Sequence, residues 1–297
     1  MYRTHFALRE APFGLTPDTA FVFACTPHQE ALNTLLIAVD GGEGFMKITG
    51  EVGTGKTLLC RRFLAQLDGD YVSAYLPNPL LDPHGLLLAL AEELRIPFDK
   101  ESDQHTLTKT LNNALLEFAR AGKKVVVCLD EVQAMPFETL ESLRLLSNLE
   151  TEKRKLFQVI LFGQPELDAK LSHESVRQLR QRITFQYHLS ALSRSEVAYY
   201  LGHRLRVAGY MGDRLFDYSA INALYRASRG VPRLINVLAH KAMLAAFGEG
   251  RHHVSAHHVR MAAQDTPSAR VPRSPVLWVA LVVVAAVLVA GLGLWHQ

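Results

Sequence analysis

The sequence predicts an α/β fold: a mainly parallel sheet layered with helices, followed by a small all-helical unit and a single C-terminal apolar helix. Three observations predict it. From Phe45 onward, short apolar runs alternate with helical patterns, the order that βαβ units and a parallel sheet require. From Ser193 to Gln264 the pattern changes to helix after helix. The last stretch, VLWVALVVVAAVLVAGLGLWHQ, carries no charged side chain.

The strands are expected at FMKIT, YVSAYL, VVVCLD, FQVILF and ITFQYHL. The helices between them are expected at about 57–67, 83–94, 107–121, 137–150 and 165–180. The helical unit opens on SRSE, where Ser193 and Glu196 have capping-box spacing, and Gly209, Gly230 and Gly248 close its successive helices. These signals divide the chain into an α/β domain with an N-terminal strap over 1–191, a helical lid over 192–265, a Pro-containing linker over 266–275 and an apolar span over 276–295.

Val276 to Trp295 is long enough, at about 1.5 Å per residue, to reach the ~30 Å of a bilayer core. Trp278 and Trp295 stand near its two ends. Arg270 and Arg273 flank its N-terminal side, which by the positive-inside rule keeps the large domain cytoplasmic. The expectation is therefore a single-pass membrane protein that meets lipid through 276–295, with Ala286 and Ala290 a weak small-residue pair within the span. MYRTHFALREAPFG lacks an apolar core, so no cleavable signal is expected. Cys25, Cys60 and Cys128 lie singly and suit reduced core thiols. A net charge of +3 gives no single-sign field and by itself neither favours nor excludes nucleic acid; with the apolar span added, nucleic acid is not an expected partner. The run HHVSAHH holds His252, His253, His257 and His258 without cysteine or carboxylate and is read as a surface, not a metal site.

FMKITGEVGTGKTLLC carries the most chemistry. Gly50, Gly55, Lys56 and Thr57 have phosphate-loop spacing, between an expected strand and an expected helix. Backbone N–H groups of Gly53, Thr54, Gly55 and the first helical residues through Leu58 would surround phosphate oxygens at the positive end of that helix. Lys56 would reach the β- and γ-phosphates, and the Thr57 hydroxyl would ligate Mg²⁺. VVVCLDE puts Asp130 at the C-terminal edge of a buried strand, where it would hold Mg²⁺ through water. Glu131, one residue on, is free of the metal and can polarise an attacking water as general base. The pair predicts hydrolysis. ATP is favoured over GTP because EVQ follows Asp130 and no Asn-Lys-x-Asp base-reading motif occurs.

Together with Gln164 at the end of FQVILFGQ, the arginines of LRQRITF and the helix start GVPR, these features resemble an AAA+ ATPase. HFALREAPFGLTPD, GEVGTGKT, LFGQPELDAKL, LRQRI and SRGVPRLINVLAHKA look more narrowly like the general secretion pathway protein A group, and within it the MSHA-pilus biogenesis type. The resemblance covers nearly all of residues 1–265. It implies that Gln164 orients the lytic water as sensor 1, and that Arg233 reaches the γ-phosphate as sensor 2. Arg182, or else Arg180, would be an arginine finger supplied in trans, making the protein a homo-oligomer. Phe13 to Asp18 would lie near the adenine. The resemblance further implies a bacterial inner-membrane ATPase that assists assembly proteins of a type IV pilus or type II secretion apparatus. Two other functions stay open at this point: a nucleic-acid-handling ATPase of the initiator or transposition type, and a slow nucleotide switch or scaffold.

Overall fold

The computed structural model describes residues 1–14, 21, 26–78, 80–146, 150–151 and 154–270. Its elements are, in order, α1 (Tyr2–His5), α2 (Thr26–Asp40), β1 (Phe45–Thr49), α3 (Lys56–Leu64), β2 (Tyr71–Leu76), α4 (Pro83–Glu93), α5 (Gln104–Arg120), β3 (Lys124–Leu129) and α6 (Phe137–Leu146). A short hairpin follows, β4 (Glu150–Thr151) and β5 (Arg154–Lys155), then β6 (Phe157–Gly163), α7 (Glu166–Leu171), α8 (Arg177–Arg182) and β7 (Ile183–His188). The helical unit comprises α9 (Arg194–Val207), α10 (Tyr218–Ser228), α11 (Pro232–Gly248) and α12 (Ala256–Gln264).

The main sheet has five parallel strands in the order β2-β3-β6-β1-β7. Its central strands β3, β6 and β1 are buried along nearly their whole length because helices cover both faces, with Lys47, Thr49 and Gln158 as buried polar exceptions. Strand alternation sends Val125, Val127 and Leu129 into one core under α4 to α8, and Val126 and Cys128 into the opposite core under α2 and α3. Edge strand β7 has only half-buried and exposed residues. Aspartates start the helices where the chain turns: Asp82, Asp103 and Asp217 each accept a backbone N–H of the first turn. The capping box expected at Ser193 and Glu196 forms at the start of α9.

The helical segment expected at 165–180 is instead α7, a 3-10 turn and α8. Ser172 Oγ bonds back to Asp168 O at 2.8 Å, and the His173 ring accepts Ser175 N–H at 3.3 Å, so side chains satisfy backbone groups that a continuous helix would use. The periodicity that begins at Phe45 leaves α2 unread, although its Ala31, Leu32, Leu35, Ala38 and Val39 are all buried. The described N-terminal residues pack on the helical unit. Phe6, Leu8, Phe13 and Phe21 lie in the core of the helical unit, Arg9 N–H donates to Ala208 O at 2.8 Å, and Arg204 Nε donates to Pro12 O at 2.5 Å.

The membrane expectation requires correction. Among the described residues no helix is long and apolar enough to cross a membrane. The longest described helices, α5 and α11, have 17 residues each. At 1.5 Å per residue they reach about 26 Å, and α11 carries Arg233, His240 and Lys241 while α5 carries Lys109, Glu117 and Arg120. The fold class is accordingly a parallel-sheet α/β layer with an all-helical unit, and the described residues give the single-pass inner-membrane placement no support. The residues that carried those expectations, 276–295, lie outside the described residues, as does Cys25.

Within the helical unit the entry to α9 rests on Gly230, whose φ is +77° and whose carbonyl accepts Leu192 N–H at 2.9 Å. A Cβ at Gly230 would collide with the Leu192 carbonyl oxygen. Gly230→Ala should therefore destabilise the protein by roughly 3 kcal/mol, combining left-handed strain with overpacking, as read from the urea midpoint at constant slope.

Candidate active site

The loop from Gly50 to Gly55 leaves the C-terminal end of β1 and opens α3. Gly53 (φ +83°) and Gly55 (φ +101°) are left-handed, and Gly55 is the N-cap of α3. Both positions are also crowded: a Cβ on Gly53 would lie 2.6 Å from Arg233 Cβ, and one on Gly55 would lie 2.7 Å from His28 Nε2. Thr54 Oγ1 tightens the loop by donating to Glu51 O at 2.8 Å. Lys56 is buried and donates to Gly50 O at 2.8 Å and Glu51 O at 3.2 Å. Burial lowers its pKa, partly offset by Glu131, Asp130 and Glu51.

Strand order assembles the rest. β6 lies between β3 and β1, so Gln164 at the end of β6 falls between the acid pair after β3 and the loop after β1. Thr57 Oγ1 donates to Asp130 Oδ2 at 2.5 Å, and Tyr75 Oη approaches the same oxygen at 3.4 Å. Asp130 is buried, and that burial raises its pKa even though Thr57 and the Glu131 N–H hydrogen-bond the carboxylate. Burial and the Asp130 charge push the Tyr75 hydroxyl up to about 12. Glu131 sits at φ 54°, and its Oε2 accepts Gln164 Nε2 at 3.0 Å and Gln133 Nε2 at 2.6 Å. Burial raises the Glu131 pKa, but the two amides and Lys56 outweigh it and hold the carboxyl below the ordinary glutamate value. A hydroxyl and a carboxylate in contact, with phosphates to complete the shell, are the hard oxygen donors that Mg²⁺ takes. Among the described residues no group of three His, Cys, Asp or Glu could hold a metal without such a ligand.

Arg233, at the start of α11, lies over the loop: its N–H donates to Gly53 O at 3.2 Å. Arg180 and Arg182 are elsewhere. Ile183, which follows them, pairs with Phe45 at the start of β1, whereas the loop follows Thr49 at its end, about 16 Å along the strand. Arg182 Nη1 donates to Arg144 O and Arg180 Nη1 to Ser172 Oγ, both at 3.3 Å. Beside Gly55 a largely apolar cleft runs between the sheet part and the helical unit, lined by Phe21, His28, Leu58, Arg62, Tyr200 and Arg204. Arg204 stacks over Phe21 at 4.7 Å and donates to Tyr200 Oη at 3.1 Å. Burial lowers the His28 pKa, so the ring beside Gly55 is held neutral. Phe13 lies instead in the helical core, edge-on to Phe216 at 5.8 Å, and residues 15–18 lie outside those described.

Sequence reading missed Gln133, Tyr75, His28 and the Tyr200–Arg204 pair. Only the pair left a signal, its i,i+4 spacing on one face of α9. The histidines of HHVSAHH serve packing: His252 stacks on His5 at 4.3 Å, and His258 meets Glu249 at 3.2 Å.

A carboxyl whose folded pKa is raised destabilises the fold above that pKa, and the penalty disappears as pH falls through it. Asp130→Asn should therefore raise Tm at pH 7, with the gain shrinking as the pH is lowered. Thermal melts across pH check this; a lower Tm at neutral pH would contradict it.

A family model described as AAA domain matches residues 39–171. General secretion pathway protein A of Aeromonas hydrophila is 42% identical over 270 residues, 91% of this chain and 49% of that protein. The chain thus spans about half the length of this curated relative. Among solved structures, the Aeropyrum pernix ORC2 protein in ADPNP–ADP complexes superposes with a TM-score of 0.62 at 17% identity, covering 85% of this chain and 72% of that one. Cdc6p from Pyrobaculum aerophilum gives 0.60 at 16% identity, covering 84% and 70%. These two show the fold alone. The chain therefore carries an AAA domain and is similar over most of its own length to general secretion pathway protein A.

Proposed function

We propose that the protein is a Mg²⁺-dependent ATP hydrolase whose helical unit (192–265) acts as a lid on the α/β part (1–191), serving the assembly of a type II secretion apparatus or an MSHA-like type IV pilus. One observation carries the hydrolase reading: Thr57, Asp130, Glu131 and Gln164 meet in one hydrogen-bonded chain at the C-terminal ends of three adjacent strands. The client is suggested by the relationship to general secretion pathway protein A.

Each side chain has a task on this reading. Backbone N–H groups from Gly53 to Leu58 bind phosphate oxygens, and Lys56 exchanges its loop carbonyls for the β- and γ-phosphates. Thr57 and Asp130 would hold Mg²⁺, which when bound neutralises charge on the β- and γ-phosphates. Glu131 takes the proton of the attacking water, with Gln164 orienting it. Arg233 reads the γ-phosphate from the lid, and the cleft around Tyr200 and Arg204 receives the base and ribose. Arg182, ahead of Arg180, serves a neighbouring chain, because both stand at the opposite end of β1 from their own loop.

Lys56→Ala should abolish Mg²⁺-dependent turnover. Glu131→Gln should retain ATP binding with kcat reduced more than about a hundredfold. Wild-type turnover in Glu131→Gln would sink the base assignment. Arg182→Ala should be inactive alone but regain partial activity when mixed with Lys56→Ala, since one variant keeps an intact site and the other an intact finger. Mixing that restores nothing counts against action in trans.

A further inference from the structure

Gln133 has no role in the reading above, yet its side chain closes a bridge within the site. Its Nε2 donates to Glu131 Oε2 at 2.6 Å, while its Oε1 accepts the Gln164 backbone N–H at 3.0 Å. A carboxylate only accepts and a backbone N–H only donates, so the two contacts fix the amide in one orientation. The main chain is anchored as well. Gln133 lies in the 3-10 turn Val132–Ala134 that follows left-handed Glu131, and Lys170 Nζ donates to Gln133 O at 2.9 Å. The seat behind the amide is closed: a Cβ on Gly163 would come within 2.7 Å of Leu167 Cδ2 and 3.2 Å of Gln133 Oε1.

We infer that Gln133 is a positioning residue for hydrolysis, clamping the Glu131 carboxylate by one oxygen so that the other faces the attacking water. This rests on the ATP-hydrolase reading and deepens it. A glutamate carboxylate turns easily about its last torsion, and a single donor leaves that rotation nearly free. Here Gln133 and Gln164 both donate to Oε2 from different elements, the 3-10 turn and the end of β6, so the carboxylate plane is set by two directions. Gln133 also holds the backbone N–H of Gln164, so the two amides keep their places relative to each other. The arrangement trades basicity for orientation: each donor favours the ionised form, which lowers proton affinity but keeps the base charged at neutral pH.

The test uses Gln133→Leu, which removes donor and acceptor at similar size, and Gln133→Glu, which puts a second carboxylate against the first. With the clamp, Gln133→Leu lowers kcat about tenfold while KM for ATP stays within about twofold, because orientation at the reacting water is lost and nucleotide contacts are not. Gln133→Glu, whose carboxylate repels that of Glu131, lowers kcat at least as far, again with KM for ATP within about twofold. Full kcat in Gln133→Leu, or a KM that rises in step with the loss of kcat, overturns the clamp while leaving the ATPase reading intact. Wild-type protein without Lys56-dependent turnover overturns that reading and, with it, the role in hydrolysis.

Discussion

The hydrogen bond from Thr57 to Asp130 ties the first turn of α3 to the end of β3, two segments more than 70 residues apart that do not neighbour each other in the sheet. It exists only because β6 is inserted between β1 and β3 and brings all three strand ends to one edge. In an open parallel sheet that edge is where helix N-termini, unpaired strand-end amides and buried carboxylates converge. The loop, the acid pair and Gln164 are consequences of one strand order. The helical unit is joined to the same edge, because Arg233 N–H donates to Gly53 O.

The site is assembled at a cost to stability. Lys56 and Asp130 are buried with pKa values moved toward their neutral forms, Glu131 adopts a left-handed backbone, and Gly53 and Gly55 exclude side chains. The two cores flanking the sheet offset this with fully buried Phe45, Phe63, Phe157 and Phe162, together with leucines from α2 to α6. Such division of labour is common where binding requires charge and backbone geometry that folding alone would reject.

Much of this was legible in the sequence, for identifiable reasons. FMKIT and FQVILF are buried on both faces, and their runs, like that of the half-buried edge strand YVSAYL, gave their positions nearly to the residue. Phosphate-loop glycines and an acid after a strand are local signals, and they lie where spacing put them. What the sequence concealed was set by distant partners. The use of Phe6, Leu8 and Phe13 in the helical core depends on residues such as Phe216, some 200 positions away. The break in 165–180 came from serine and histidine side chains competing for backbone groups, which periodicity does not register. Gln133 is invisible for the same reason: nothing in DEVQ says that its amide meets Gln164.

The N-terminal residues have a mechanical meaning. Because α1 packs on α11 and Pro12 is grasped by Arg204, residues 2–13 are physically part of the helical unit although they precede the sheet in sequence. The helical unit is therefore built from segments on both sides of the sheet in sequence, and α2, which follows the first of them, sets His28 beside Gly55 of the phosphate loop.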